Sequence, residues 1–575
     1  MCKNSKNRND LICDAHTGVA APGVQLCRSA VFGHIGFFLG KGRPLIKSRQ
    51  GCFLKKEDSK KSIYLAFCGR YAICPIFQKS SWVSSEQATN KPCCGKINSE
   101  IANGNLFFYI FATTNSPPTE GSEEYSIMRT LISNPTIVNE GEQFRGSIVI
   151  NDGRIVEILR GDELPRAECD RVVEATGLYL IPGVIDDHVH FREPGLTQKA
   201  TIATESRAAA AGGVTSYMEM PNTVPQTTSI KALKEKFAIA ARESVINYSF
   251  FFGATNSNVD DFKKLNPSRV CGIKLFMGSS TGNMLVDKEQ ELEKIFAEAK
   301  RLGLPIAVHC EESSIIAENS KRIKEQFGED ADVKFHPIIR SEEACYQSTK
   351  CAVELSRKFG TKLHVMHIST ARELELLEGG TTAEKHITAE ATPAHLTFCD
   401  ADYESLGTRI KCNPAIKSES DREALRRAVA DGRVDLIGTD HAPHLPADKV
   451  GGALKAASGM PSIQFSLTAM LELVEKGYFT IETIVQRMCH APAEIFNINK
   501  RGYIRKGYYA DFVLLNPNSP HTIATADIMS KCGWSPFEGD TFKWAVEQTW
   551  SNGCCIYSNG TINEESRGKV LTFNR

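Results

Sequence analysis

The stretch that decides the fold reads Val184-Ile185-Asp186-Asp187-His188-Val189-His190-Phe191-Arg192-Glu193-Pro194-Gly195. It continues an apolar run that starts at Tyr179, so we expect it to close a buried strand. Side chains of an extended segment alternate between two faces, which predicts that His188, His190 and Arg192 point the same way. Two imidazoles on one face can hold a divalent metal, and a guanidinium beside them can hold a carboxylate. The stretch therefore predicts a metal site at the end of a strand.

Composition places the chain among ordinary globular proteins. The 575 residues are 42% hydrophobic and 24% charged, and 68 Lys+Arg balance 68 Asp+Glu. This balance argues against nucleic acid as the main partner. No apolar run approaches the roughly 18 residues that a membrane span needs, and the N-terminus lacks the apolar region of a secretory signal. We therefore expect no membrane partner.

The cysteines argue for a reducing environment. Of the nineteen cysteines, eight precede Met128 and the other eleven are scattered without C-x-x-C pairs. An odd total with irregular spacing is not the pattern of a disulfide framework. The sequence therefore favours a cytoplasmic location.

Residues 1–127 differ in character from the rest of the chain. No sustained helical or strand period runs through them, and the turn-rich segment 113–126 has the composition of a linker. Three interpretations are open: a regulatory or binding extension, a poorly ordered segment, or a gene model that begins upstream of the true start at Met128. We favour the third, because an ordinary domain start follows Met128 at once.

From Met128 the pattern predicts two structural units. Short β-branched runs around Asn151-Asp152-Gly153, a hairpin signal, indicate a small β unit over 128–177. A strand–loop–helix rhythm then repeats eight times over 178–498, which predicts a (β/α)8 barrel. Short strands return over 499–575, so we expect one discontinuous β-sandwich built from both sides of the barrel. The barrel strands are expected at 178–185, 214–219, 246–253, 272–277, 305–309, 362–368, 386–390 and 434–440.

Ligand-type side chains fall at the C-terminal ends of five of these strands, where barrel enzymes carry their chemistry. Four imidazoles and a carboxylate suit a divalent metal, plausibly zinc. His364 lies an odd number of residues from His367, so we expect it to face away, whereas His395 follows Pro393 in a loop that suits a structural role. The predicted ligands are His188 and His190 on strand one, Lys274 on strand four, His309 on strand five, His367 on strand six and Asp440 on strand eight.

Lys274 needs a separate explanation. A lysine buried at a barrel mouth is costly unless it is paired or neutralised. Reaction with carbon dioxide would make its tip an anionic carbamate able to bridge two metals. The alternative is a lysine that is salt-bridged or extends towards solvent.

Several motifs give the chain a family resemblance. The ligand pattern looks like the amidohydrolase superfamily, and four segments more narrowly resemble the dihydroorotases over about 128–575. These segments are Asp186-Asp187-His188-Val189-His190-Phe191-Arg192-Glu193-Pro194-Gly195, Met220-Pro221-Asn222-Thr223, Thr439-Asp440-His441-Ala442-Pro443-His444 and Cys532-Gly533-Trp534-Ser535-Pro536-Phe537-Glu538-Gly539.

The resemblance implies an activity, a cofactor and a set of roles. Dihydroorotases interconvert N-carbamoyl-L-aspartate and L-dihydroorotate, a step of pyrimidine synthesis, and the likeness implies two Zn²⁺ per subunit bridged by carboxylated Lys274. By the same likeness, Asp440 would carry the proton between water and the leaving nitrogen. Arg192 and Asn222 would grip the substrate carboxylate, with Asn413 and His444 completing the substrate shell. Relatives often pair, so a homodimer is a possible assembly.

Two alternatives stay open. The segment Gly272-Ile273-Lys274-Leu275-Phe276-Met277-Gly278 resembles hydantoinases and allantoinases more than those dihydroorotases that carry Asp at the lysine position, so another cyclic amidohydrolase is the second hypothesis. Arg192 favours dihydroorotase, because relatives that act on uncharged ureides lack an arginine there. The third hypothesis is a catalytically inactive scaffold. The presence of suitable residues at all six predicted ligand positions argues against it.

Overall fold

The computed structural model describes residues 128–278 and 284–575 in full, and the backbone of strands ahead of them. The chain divides into one unit at Met1–Ser126 and a second at Ile127–Arg575. Our interpretation of 1–127, with its linker at 113–126, falls largely outside the described residues. The strands of the first unit form a four-stranded antiparallel sheet and a hairpin; they are Leu26–Ser29, His34–Leu39, Ile97–Ala102 and Asn105–Ile110, and Cys52–Lys56 with Ile63–Phe67.

A ten-stranded sheet joins strands from both ends of the second unit. Tyr179–Pro182 forms the junction, since it pairs parallel with Thr136–Asn139 and antiparallel with Phe512–Asn516. The predicted hairpin at Asn-Asp-Gly is confirmed, because Asp152 and Gly153 take the left-handed backbone that such a turn requires. The other strands are Thr130–Ser133, Glu142–Asn151, Arg154–Arg160, Arg171–Glu174, Ala545–Ser551, Cys554–Ser558 and Thr561–Ile562, and His521–Thr522 pairs separately with Thr541–Phe542.

Parallel strands in chain order surround the interior of the second unit. An isolated parallel bridge between Val189 and His441 links the first strand to the segment after the last, so the strands curl back on themselves. This arrangement is consistent with the predicted (β/α)8 barrel. The strands are β1 (Val184–Val189), β2 (Val214–Glu219), β3 (Asn247–Phe250, continued at Phe252–Gly253), β4 (Ile273–Phe276), β5 (Ile306–His309), β6 (Leu363–Val365), β7 (Ile387–Ala391) and β8 (Leu436–Ile437).

The prediction of one continuous strand over 178–185 is wrong. The structure divides it at Gly183, so that Tyr179–Pro182 belongs to the ten-stranded sheet and β1 begins only at Val184. A Cβ at Gly183 would lie 2.2 Å from Oγ1 of Thr215, so only glycine fits where the chain passes from one sheet to the other. An apolar run reads the same in both sheets, which is why the sequence did not show the division.

Helices cover the outside of the curled sheet. The helix Glu289–Leu302 shows how, because Leu292, Ile295, Phe296 and Ala299 recur on one face and are buried. The other α-helices are Ile202–Ala211, Ile230–Glu243, Ser313–Phe327, His336–Ile339, Glu342–Phe359, Pro393–Thr397, Tyr403–Leu406, Glu419–Asp431, Gly452–Lys455, Ser466–Glu475, and Ile481–Val485 with Ala491–Ile495 on either side of the π-turn Gln486–His490. Among the described residues, no helix is both long enough and apolar enough to cross a membrane.

Candidate active site

A cavity opens at the C-terminal ends of the barrel strands and collects most of the predicted site residues. Of the ten, only His444 is not part of the lining, and its imidazole contacts Arg192 instead. Ala442, Ser458 and Gly459 line it as well. The predicted residues that line the cavity are His188, His190, Arg192, Asn222, Lys274, His309, His367, Asn413 and Asp440.

The first group of possible metal ligands comes from β1 and the segment after β8. Nε2 of His188 and Nε2 of His190 lie 3.3 and 3.0 Å from the same oxygen, Oδ1 of Asp440. Burial lowers the pKa of His190 to about 4, so its imidazole is neutral at neutral pH. Burial raises the pKa of Asp440, but the neighbouring His188 and His190 outweigh it and lower the pKa overall. A neutral imidazole and an ionised carboxylate are the protonation states that metal ligands need.

The second group comes from β5 and the segment after β6. Nδ1 of His309 faces Nε2 of His367 at 3.0 Å. Burial lowers the pKa of both imidazoles, so neither favours the protonated form. Two neutral imidazole nitrogens at this distance either share a proton or share a cation.

The backbone of three site residues is strained. Arg192, His367 and Asp440 have φ values of 66°, 39° and 44°, in the left-handed region that non-glycine residues avoid. Each follows the last residue of its strand, so strand alternation no longer governs where its side chain points. The alternation argument therefore placed Arg192 in the cavity for the wrong reason. Such strain is costly and concentrates at functional sites, where the surrounding structure enforces it.

Each of three imidazoles is oriented by a polar side chain that the sequence did not single out for this role. Nδ1 of His188 donates to Oε1 of Glu390 at 2.9 Å, which leaves Nε2 for a ligand. Nδ1 of His190 donates to Oδ1 of Asn222 at 2.8 Å, with the same consequence. Partners of this kind fix the tautomer of a metal-binding histidine. Asn222, which was predicted to contact the substrate, thus orients His190, a candidate metal ligand.

His309 is the third of these imidazoles. Its Nε2 lies 3.0 Å from Oε2 of Glu311, which is itself paired with Arg340, and Nδ1 is left facing the cavity. Glu311 and Glu390 both follow or end a barrel strand, so their position at the strand ends was the available signal.

Lys274 is completely buried on β4 beside the two ligand groups. Its Nζ lies 2.8 Å from Sδ of Met366, and no carboxylate of the described residues lies within ion-pair distance of it. Burial lowers the pKa of this amine to about 8. The salt-bridged alternative therefore has no support in the described residues.

Arg192 lines the cavity and is held by His444, which lies next to it outside the lining. Nε of Arg192 donates to the carbonyl of Pro443 at 3.0 Å, and Nη2 lies 3.1 Å from Nε2 of His444. The guanidinium is buried, and none of the ion pairs among the described residues includes it. Burial and the flanking cations Arg192 and Lys199 lower the pKa of His444, which keeps that ring neutral. Asn413 lines the cavity and accepts from Nε2 of His336 at 3.1 Å.

The expectation that His364 faces away is wrong. Its Nε2 lies 3.3 Å from Oδ2 of Asp187 and 4.0 Å from Oε2 of Glu390, inside the barrel beneath the cavity. β6 ends at Val365 and His367 has left-handed backbone, so the odd spacing does not put the two rings on opposite faces. His395 has structural partners, Thr392 Oγ1 at 2.8 Å and the Pro414 carbonyl at 3.0 Å.

The donor set fits divalent metal. Among the described residues, His188, His190 and Asp440 are one of two groups whose ligand atoms all lie within 4.8 Å of one another. Two nitrogen ligands of a tetrahedral zinc lie about 3.3 Å apart, close to the separations in both ligand groups. Burial lowers the pKa of His190, His309 and His367, which favours their neutral form. The outer nitrogens of His188, His190 and His309 face acceptors, and their other nitrogens face the cavity. This arrangement can polarise and hydrolyse a polar substrate.

Comparisons with known proteins show the family to which the chain belongs. The model of the Amidohydrolase family matches residues 179–555, and the chain belongs to that family. It is 32% identical to a dihydroorotase of Methanosarcina mazei over 450 residues, which cover 76% of this chain and 97% of the relative. It is 30% identical to an allantoinase of Bacillus velezensis over 449 residues, 77% of this chain and 96% of the relative.

A solved structure of a cyclic amidohydrolase resembles this protein over most of its length. The L-hydantoinase (dihydropyrimidinase) from Arthrobacter aurescens superposes with a TM-score of 0.74 at 27% identity, over 78% of this chain and all of the other. The resemblance to dihydroorotases that the motifs indicate is confirmed, and the chain is a hydrolase of the cyclic-amide branch of the family. Its substrate within that branch is a separate question.

Proposed function

We propose that this protein is a dihydroorotase that interconverts N-carbamoyl-L-aspartate and L-dihydroorotate. The observation that carries the proposal is Arg192, a buried guanidinium in the cavity lining that contacts a carbonyl oxygen and an imidazole nitrogen. A buried cation without a counter-ion is costly, and a bound carboxylate would balance it with a bidentate contact. Dihydroorotate carries such a carboxylate, whereas uncharged ureides do not.

His188, His190, His309, His367 and Asp440 would hold two Zn²⁺ ions, with carboxylated Lys274 between them. When bound, the metals lower the pKa of water and polarise the amide carbonyl. Asp440, with Oδ1 among the imidazoles, would use Oδ2 to accept the proton of the attacking water and pass it to the ring nitrogen that leaves. Its lowered pKa keeps it ionised and able to accept that proton.

The remaining predicted residues would bind and orient the substrate. Arg192 would take the carboxylate, Asn413 would contact the substrate from the cavity lining, and His444 would act beside Arg192. Asn222 would act mainly through His190, whose tautomer it sets. We also retain as proposals the discontinuous β-sandwich of 128–177 and 499–575, a homodimer, and a place in pyrimidine synthesis.

A substrate panel tests the assignment. Purified full-length protein with quantified zinc should hydrolyse dihydroorotate and cyclise carbamoyl-aspartate. Arg192→Met should lower kcat/KM for dihydroorotate at least about 100-fold, because it removes a charged contact to a buried anion. Arg426→Met, which removes a buried arginine outside the cavity lining, is the matched control.

The likeness to allantoinases supports a second candidate, hydrolysis of an uncharged cyclic ureide. Turnover of allantoin or hydantoin but not of dihydroorotate by the wild-type protein would replace our assignment with this one. Absence of bound metal together with absence of all turnover would instead support the inactive scaffold.

Carboxylation of Lys274 has its own test. The neutral amine would attack carbon dioxide, form one N–C bond and release one proton, leaving a carbamate anion. Its lowered pKa favours the neutral amine that this step requires. Protein equilibrated with ¹³C-bicarbonate should show a carbamate ¹³C resonance that Lys274→Met lacks. The same spectrum from wild type and variant would contradict the proposal.

A further inference from the structure

We propose that Trp534, on the segment 530–538 near the C-terminus, is a positioning residue that sets the affinity of the cavity for a substrate carboxylate. This inference rests on the proposed function of Arg192. Trp534 belongs to the Cys532–Gly539 motif, for which the site described above has no role. It does not line the cavity.

The indole acts through the backbone that holds Arg192. Nε1 of Trp534 donates to the carbonyl of His444 at 2.7 Å. His444 and its neighbour Pro443 provide the nitrogen and the carbonyl that contact Arg192. A single hydrogen bond from Trp534 thus holds His444, whose ring contacts the guanidinium and whose preceding residue, Pro443, provides the carbonyl.

The segment that carries Trp534 is anchored on both sides. Before the indole, Oγ of Ser530 donates to Oε2 of Glu205 at 2.6 Å, and Glu205 also accepts from Nε2 of His441 at 2.8 Å. After the indole, Nη2 of Arg409 donates to the Ser535 carbonyl and to Glu538, both at 2.6 Å. The segment on either side of the indole is therefore fixed by hydrogen bonds, which keeps the Nε1 donor at a fixed position for the His444 carbonyl.

The cavity wall packs closely against the side of the His444 ring at Gly459 and limits its movement. A Cβ at Gly459, which lines the cavity, would lie 2.7 Å from the Ala442 carbonyl and 3.0 Å from Cδ2 of His444. Nζ of Lys449 binds the carbonyls of Gly459 and Ala457 at 2.7 and 2.8 Å and lies 5.7 Å from the centre of the Trp534 ring. The indole and this segment hold His444 between them.

Trp534→Phe tests the role, because it keeps the ring and removes only the Nε1–H donor. We expect the KM for dihydroorotate to rise about five- to tenfold with kcat within twofold, since the lost hydrogen bond acts on carboxylate binding and not on Asp440. Zinc content should stay unchanged. The control is Trp544→Phe: Trp544 is equally buried, 6% exposed, and donates to Glu475 at 2.8 Å, away from the cavity.

The outcomes separate the two proposals. Wild-type protein without dihydroorotase activity overturns the proposed function, and this inference with it. If the wild type is active, a Trp534→Phe variant that matches Trp544→Phe, or that loses kcat at unchanged KM, overturns the inference alone. A selective rise in KM supports both.

Discussion

The barrel contains two groups of three side chains, each made of histidines and acidic residues. One group lines the cavity and the other lies in the interior beneath it. His188, His190 and Asp440 line the cavity, and the side chain of Asp440 is 16% exposed. The interior group, Asp187, His364 and Glu390, is completely buried. In both groups the ligand atoms lie within 4.8 Å of one another.

The difference between the groups is access and charge. In the cavity group, burial lowers the pKa of His190 to about 4, whereas Glu390 and Asp440 outweigh burial and raise the pKa of His188. In the interior group, Asp187 and Glu390 raise the pKa of His364 to about 9 against the opposing effect of burial. The interior group therefore contains a protonated His364 beside acidic residues, and through Glu390 it orients His188 of the cavity group. Glu390 belongs to both levels, since Oε1 accepts from His188 and from the backbone N–H of His367 at 3.0 Å. The two groups have similar composition, and their different positions relative to the cavity decide which of them a substrate could reach.

The largest expected effect is at the cavity group. Asp440→Asn removes both a ligand charge and the proposed proton carrier, so turnover should fall by at least about a thousandfold. The fold should stay intact, because the amide has the same shape, and circular dichroism and thermal melting check this. Near-full activity of the variant would contradict the double role of Asp440.

A smaller effect is expected where the two groups meet. Glu390→Gln removes the charge that orients His188, which should cost about 10- to 100-fold in metal affinity or activity. Zinc titration and kcat/KM measure it. Glu373→Gln is the control, because Glu373 is buried and, within 128–278 and 284–575, its oxygens accept from Thr349, Ser369 and Thr370 and from no imidazole. Equal losses in both variants would show a general cost of changing a buried acid.

The smallest effect is expected on stability, through the interior group. The folded pKa of His364, about 9, lies above its ordinary value of 6.5, so its contribution is complete below pH 6.5 and is lost as pH rises through 9. Metal-depleted wild-type protein should lose thermal stability over that window. His364→Gln should melt lower at pH 6.5 and change less between pH 6.5 and 9. Parallel curves for the two proteins would refute the charged interior group.

The predictions from sequence succeeded where a pattern is local. The strand at Val214–Glu219 lies where the sequence predicts it, because hydrophobic periodicity reports the burial of one short element. The alternation argument failed at His364, since it extends only as far as the strand does. The role of Glu390 was also missed, because a carboxylate in an apolar run does not reveal which imidazole it will meet.

The sequence by itself determined the family, the order of the barrel strands and the residues that reach their C-terminal ends. These follow from motifs and from periodicity along the chain. Only the tertiary structure decided that Tyr179–Pro182 belongs to another sheet, that His364 lies beneath the cavity, and that Trp534 supports His444. The physical reason is that these facts depend on contacts between residues far apart in the chain, and on backbone turns at Arg192, His367 and Asp440 that no periodicity encodes.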